Sequence, residues 1–216
     1  MRLALFAFWI LIMALSALSA RGSDALPPSP RGPVPKPLPR PPSSALLKPL
    51  PDSSLYQLHS RWVTDDGKAM TLSDLRGQVR VISMFFTGCG NLCPMLIGQL
   101  QSLDRAMPVG LKDKVGFVLV TLDSKQDTSG ILRAYRKKAG LSADHWTLLR
   151  GSADDTRELS ALLGVRYTPK TDDGQMGHTG LIAILDGEGR KVSQVSAITD
   201  QKAFLAELSR AVSSGP

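Results

Sequence analysis

Residues 79–100 read VRVISMFFTGCGNLCPMLIGQL and hold both cysteines of a 216-residue chain, Cys89 and Cys93. The first eight residues are an almost unbroken β-branched and aromatic run, as expected of a central strand buried on both faces. Pro94 suits the first turn of a helix, where a missing N–H costs nothing, and Leu96, Ile97, Leu100 and Leu103 then recur at helical spacing. Cys89 therefore falls in a strand-to-helix loop and Cys93 at the helix start. A disulfide between them would close so short a loop that it would remove little entropy from the unfolded chain, so the pair reads as chemical rather than structural.

Outward from this stretch the alternation continues. VGFVLVTL (115–122) predicts a second buried strand, TSGILRAYRKKAG (128–140) a helix ended by Gly140, and HWTLLRG (145–151) a third strand. DDTRELSALLG (154–164) gives another helix ended by glycine. GLIAILDGEGRKVSQV (180–195) gives two strands joined by an Asp-Gly-Glu-Gly turn, and Asp200 caps a closing helix over 200–212. Upstream, LYQLHSRWVTDDGKAMTLSDLRGQ alternates around the turn signal Asp65, Asp66, Gly67 and predicts a short hairpin capping one sheet edge. A βαβ run followed by a β-hairpin and a final helix is the order of an α/β, thioredoxin-like fold. Its central mixed β-sheet would be flanked by helices, with the N-terminal β-hairpin added. In such sheets function gathers at the carboxyl ends of strands, where both cysteines fall.

The first 51 residues are of another kind. Residues 3–20 are apolar and uncharged, a stretch at the lower limit for spanning a bilayer, and residues 1–20 read as a signal peptide or an N-terminal membrane anchor. No cysteine follows directly to carry a lipid. Residues 21–51 hold 11 of the chain's 15 prolines, a composition suited to an extended linker and not to a packed core. Both readings make the rest an exported domain, residues 52–216, facing the periplasm or an equivalent intermembrane space. The formal net charge of +7 comes mostly from the linker, because residues 52–216 carry 20 basic and 18 acidic side chains. The folded part is nearly neutral, which argues against nucleic acid as a partner, while the basic linker suits an anionic membrane surface.

A helix N-terminus favours a thiolate, since its unpaired N–H groups and positive dipole end stabilise the charge. That thiolate serves thiol–disulfide exchange or the binding of a soft ion, copper or zinc. Redox domains of this fold usually carry Cys-x-x-Cys. Here Gly90, Asn91 and Leu92 intervene, and the two sulfurs lie about one helical turn apart, a spacing that favours pinching one ion. His178 ends the polar loop YTPKTDDGQMGHTG (167–180), which returns to the sheet beside the cysteine loop, and its imidazole is placed to complete an S₂N copper site.

FFTGCGNLCP, the later TLDSKQDT (121–128) and GHTGLIAILDGEGR (177–190) together resemble the Sco/SenC family of copper-binding thioredoxin-like proteins, over roughly residues 55–213. The resemblance implies copper held by Cys89, Cys93 and His178. It also implies delivery of that copper to the dinuclear copper site of cytochrome c oxidase, or redox preparation of that site. The partners implied are the oxidase subunit bearing the site and, because an exported compartment oxidises thiols, a thioredoxin-like reductant. Two alternatives remain open: a thiol–disulfide oxidoreductase in which Cys89 and Cys93 are catalytic, and an envelope redox or copper sensor. The sequence departs from the family at Gly177, where an acidic residue usually precedes the histidine, and at Gly88 and Gly90, which are smaller than the usual aromatic residue and proline.

Among the remaining candidates, Met176 reads as a gap-filling side chain in preference to a thioether ligand. His59, on the predicted hairpin, and His145, at a strand start, read as ordinary histidines, and Trp62 and Trp146 as core. Asp123 ends the second strand, where it either orients a thiol and shapes the loop or simply caps. With no phosphate-binding glycine loop, Ser-His-Asp order or HExxH helix, nothing in the chain supports a hydrolase or nucleotide-binding function.

Overall fold

The computed structural model describes residues 49–168, 170–171 and 176–215. The apolar segment and the proline-rich segment up to residue 48 lie outside these residues. Among the described residues no helix is long and apolar enough to cross a membrane.

Seven strands form one sheet: β1 (Trp62–Thr64), β2 (Ala69–Met70), β3 (Val79–Phe85), β4 (Val115–Thr121), β5 (Trp146–Gly151), β6 (Ile182–Leu185) and β7 (Lys191–Val195). Their order across the sheet is β2-β1-β5-β4-β3-β6-β7. β3, β4 and β5 run parallel, and β6 joins β3 antiparallel with Ile82 opposite Ala183. β7 returns along β6, and β1 and β2 extend the β5 edge antiparallel. The predicted hairpin thus caps a sheet edge, but it is shorter than the alternation suggested. Two 3-10 turns, Leu55–Gln57 and Leu72–Leu75, occupy the rest of that stretch. His59 therefore precedes the hairpin instead of lying on it, and it is exposed.

β3 alternates its large residues between two cores. Val79, Val81 and Phe85 face one side with Phe117, Leu119 and Ile184; there they meet helix α1 (Leu92–Ala106) through Leu96, Ile97, Leu100 and Leu103. The same side receives Leu132 of α3 (Ser129–Ala139) and Phe204 and Leu208 of α5 (Gln201–Ser213), with the short α2 (Val109–Lys112) between α1 and β4. Ile82 and Met84 face the other side with Val118, Val120, Leu149 and Ala183, under Leu159 and Leu163 of α4 (Ala153–Leu163) and the two 3-10 turns. A strand with core on both faces needs an apolar residue at nearly every position, which explains why the run is continuous and does not alternate. Arg80 and Ser83 are the exceptions in β3: the Arg80 Nε donates to the Leu75 carbonyl at 3.1 Å, and the Ser83 hydroxyl donates to the Leu181 carbonyl at 2.7 Å.

Helix boundaries follow the expected chemistry. Thr128, Ser152 and Asp200 cap α3, α4 and α5 by accepting from the amides of Ile131, Asp155 and Ala203. Gly140 and Gly164 end α3 and α4 in the left-handed region, where a Cβ would be strained. Trp62 and Trp146 are core, as expected. Trp146 stacks on Phe117 with ring centres 4.5 Å apart, and its indole N–H donates to Asp104 at 3.0 Å.

Candidate metal centre

The carboxyl end of β3 leads through a tight turn, closed by the Cys89 amide donating to the Phe86 carbonyl at 3.2 Å, into α1. Asn91 precedes the helix, yet its side chain does not cap it. The Cys93 amide donates instead to the Cys89 sulfur at 3.3 Å, so a sulfur occupies the place of a capping oxygen. A thiolate is the better acceptor for that role, and the geometry rewards ionisation.

The two thiols are consequently unlike. Burial works against ionising Cys89. The Cys93 amide, the Cys93 thiol and the amides of Asn91 and Leu92 all favour the charged form, and the balance brings its pKa below the ordinary thiol value. Cys93 is buried, and burial pushes its pKa far up, reinforced by the Cys89 sulfur it donates to, with the Phe86 amide working the other way. Alkylation of the reduced chain by iodoacetamide at neutral pH is therefore expected to label Cys89 well before Cys93, with the Cys89 rate persisting below the pH at which a free thiol fades. Peptide mapping by mass spectrometry checks this, and equal labelling would contradict the asymmetry.

His178 arrives from the far end of the chain on a narrow antiparallel ladder. Tyr167 and His178 pair as an isolated bridge. On either side, the Thr168 amide donates to the Gly177 carbonyl and the Thr179 amide to the Arg166 carbonyl, both at 2.8 Å. The imidazole packs edge-on against Phe86, ring centres 5.7 Å apart. Its Nδ1 lies 3.3 Å from the Thr179 carbonyl, and the tautomer assigned by this contact keeps the proton there and turns the Nε2 lone pair to the sulfurs. A backbone carbonyl thus does the orienting that a carboxylate often does for a metal-binding histidine. Burial lowers the pKa of His178, against the Thr179 carbonyl, so the ring is neutral at physiological pH, the form that can coordinate.

Nε2 of His178 stands 3.2 Å from Cys93 Sγ and 3.9 Å from Cys89 Sγ, and the three donor atoms lie within 4.8 Å of one another. With metal–sulfur bonds near 2.3 Å and metal–nitrogen bonds near 2.0 Å, donors of a trigonal site stand about 3.7–4.0 Å apart, so these three need only small adjustments to hold one ion. Two thiolates and an imidazole suit a soft or borderline ion and not magnesium or calcium.

The other candidates resolve individually. Met176 packs at the margin of both hydrophobic cores, a gap-filling role. His145 pairs with Asp104 through Nδ1 at 3.3 Å. Asp123 shapes the loop after β4: its backbone carbonyl accepts from the amides of Gln126 and Asp127, and its carboxylate pairs with Lys170 at 3.1 Å.

Sequence reasoning passed over Asp127. It is 1% exposed, accepts from the Thr87 amide at 3.0 Å, and also accepts from the hydroxyls of Thr87 and Thr121. One carboxylate therefore ties the start of the cysteine loop to the end of β4. The available signal was TLDSKQDT itself, whose second aspartate follows a buried strand closely enough to turn inward.

The SCO1/SenC family profile matches residues 53–213. A Stutzerimonas stutzeri protein named for copper binding is 25% identical over 132 residues, 59% of this chain and 62% of its own length. The SCO1 protein homolog of Bacillus subtilis is 24% identical over 135 residues, 62% of this chain and 69% of its own. The structure of Bradyrhizobium japonicum ScoI with copper bound superposes with a TM-score of 0.61 at 26% identity, covering 70% of this chain and 96% of that one. A SCO1/SenC family lipoprotein from Bacillus anthracis gives 0.64 at 25% identity, covering 72% and 95%. Such relatives share the central mixed sheet flanked by helices. The match extends from the N-terminal hairpin to the closing helix, and the chain belongs to the SCO1/SenC family.

Proposed function

We propose that the protein binds one copper ion as cargo through Cys89, Cys93 and His178. It would deliver that ion to, or prepare by thiol chemistry, the dinuclear copper site of cytochrome c oxidase. The observation that carries this is the convergence of two sulfurs and a neutral imidazole nitrogen within 4.8 Å. The copper in the Bradyrhizobium japonicum relative supports the choice of ion. The oxidase subunit bearing the copper site would receive the cargo, and a thioredoxin-like protein would keep the thiols reduced. Residues 1–20 would deliver the domain to the periplasmic face, retained as an anchor or removed as a signal peptide, and the proline-rich linker would extend it from the membrane.

Titrating the reduced chain with Cu(I) and, separately, Cu(II) tests this reading. One equivalent of each is expected to bind. His178→Ala is expected to weaken Cu(II) more than Cu(I), because two thiolates alone satisfy the softer ion. No loss for either ion would remove His178 from the site, and equal losses would overturn its preference for Cu(II).

The unequal thiols favour a second reading, thiol–disulfide exchange, with Cys89 as the attacking thiolate and Cys93 as the resolving thiol. Turnover of a disulfide substrate at ordinary redoxin rates, combined with weak copper binding, would favour it over delivery.

A further inference from the structure

The ladder carrying His178 is two-stranded and short, and such a ribbon is marginal in water unless side chains reinforce it. Arg166, Thr168, Gly177 and Thr179 are all exposed, so its backbone hydrogen bonds compete with solvent. Threonine hydroxyls reinforce it from both arms. The Gly177 amide donates to Thr168 Oγ1 at 3.0 Å, in addition to the Thr168 amide donating to the Gly177 carbonyl. The Arg166 amide likewise donates to Thr179 Oγ1 at 3.0 Å. The residues on both sides of His178 are each tied across the ladder by a hydroxyl as well as by backbone.

Gly177 gives one of these ties its meaning. A Cβ at this position would lie 3.1 Å from Thr168 Oγ1, closer than side chains ordinarily approach. The acidic residue that the family resemblance puts before the histidine would need that space, and here the Thr168 hydroxyl holds it. On the reading that His178 is a copper ligand, we propose that Thr168 is a positioning residue for that ligand. By holding Gly177 through its hydroxyl, it fixes the backbone from which the imidazole reaches the two sulfurs.

The test uses the full-length reduced chain, with Thr168→Val, Thr168→Ser, Thr168→Ala and His178→Ala beside the wild type. Each is loaded anaerobically with one equivalent of Cu(II) or Cu(I), and affinities are read by chelator competition. Electron paramagnetic resonance follows the Cu(II) form. Thr168→Val keeps the shape and removes the hydroxyl. It is expected to weaken Cu(II) on the order of tenfold, in the range for residues that orient a metal ligand, and to move the Cu(II) spectrum toward that of His178→Ala. Thr168→Ala should behave alike if valine disturbs the ladder, Cu(I) affinity should change less than Cu(II) in both, and Thr168→Ser should restore wild-type values. A wild-type Cu(II) affinity and spectrum in Thr168→Val and Thr168→Ala, at any melting temperature, would overturn the positioning role. So would a serine variant as impaired as the valine one. If His178→Ala itself kept the wild-type Cu(II) affinity and spectrum, the copper reading of His178 would fall, and the role of Thr168 with it.

Discussion

Serine in place of either Cys89 or Cys93 is expected to abolish stoichiometric copper binding. A site built from three donors has no spare: the remaining thiolate and the imidazole form a two-donor set, and a hydroxyl is a poor ligand for a soft ion. Binding energies of roughly 10–16 kcal/mol for structural zinc sites, divided among three or four donors, give about 3–5 kcal/mol per ligand, or more than a hundredfold in affinity. The two variants should differ in one respect. Cys93 is 1% exposed within the core beneath the loop, so Cys93→Ser buries a hydroxyl and should also lower the melting temperature, whereas Cys89→Ser should leave it nearly unchanged. Copper stoichiometry by equilibrium dialysis decides the matter. Full stoichiometry in both variants would place the site elsewhere.

Asp127→Ala is expected to damage stability and the cysteine loop together. It removes the acceptor of the Thr87 amide and of two hydroxyls at once, in a place water barely reaches. Leaving a buried donor without its partner costs about 1–3 kcal/mol, and the two hydroxyls can rotate toward other acceptors, so a loss of about 3 kcal/mol is expected. For a domain of this size that corresponds to a melting temperature lower by about 6–12 °C. Because Thr87 lies two residues before Cys89, Cu(I) affinity should fall along with stability. Asp127→Asn keeps one acceptor and should fall between alanine and the wild type. A thermal melt by circular dichroism and a Cu(I) titration together check both expectations. An alanine variant melting within about 2 °C of the wild type would show that the carboxylate does not anchor the loop.

The contrast between Cys89 and Asp127 shows what was legible in the sequence. The strand, loop and helix around the cysteines announced themselves because each rests on short-range chemistry: a continuous apolar run, a proline in a first helical turn, leucines at helical spacing. The succession of elements from β3 onward, a βαβ run, a β-hairpin and a final helix, followed from the alternation along the chain. His178 was legible because an imidazole closing a polar loop just before a buried strand has few places to go once the cysteines fix the end of the sheet. Asp127 was not, since an aspartate among Ser124, Lys125 and Gln126 looks solvated, and its partner Thr87 lies 40 positions away. The hairpin before β3 was overextended for a related reason. Apolar alternation marks which residues face inward, and the 3-10 turns at Leu55–Gln57 and Leu72–Leu75 bury Leu55, Leu72 and Leu75 without strand pairing.

The three donors are carried by two pieces of the molecule with unequal tenacity. The Cys93 sulfur stands on the first turn of a helix packed into the core and the Cys89 sulfur on the loop that enters it, accepting from the Cys93 amide, whereas the imidazole hangs from an exposed ladder whose bonds face water. Ligand lability should follow that division, with the nitrogen dissociating and returning many times for each excursion of a sulfur. With copper held as proposed, every such opening would leave a two-coordinate dithiolate, the arrangement that suits Cu(I), flanked by the small, exposed Gly88 and Gly90. An incoming thiolate could then enter the vacated position before either sulfur departs, and the proposed delivery would proceed by associative exchange without the ion ever being free in solution.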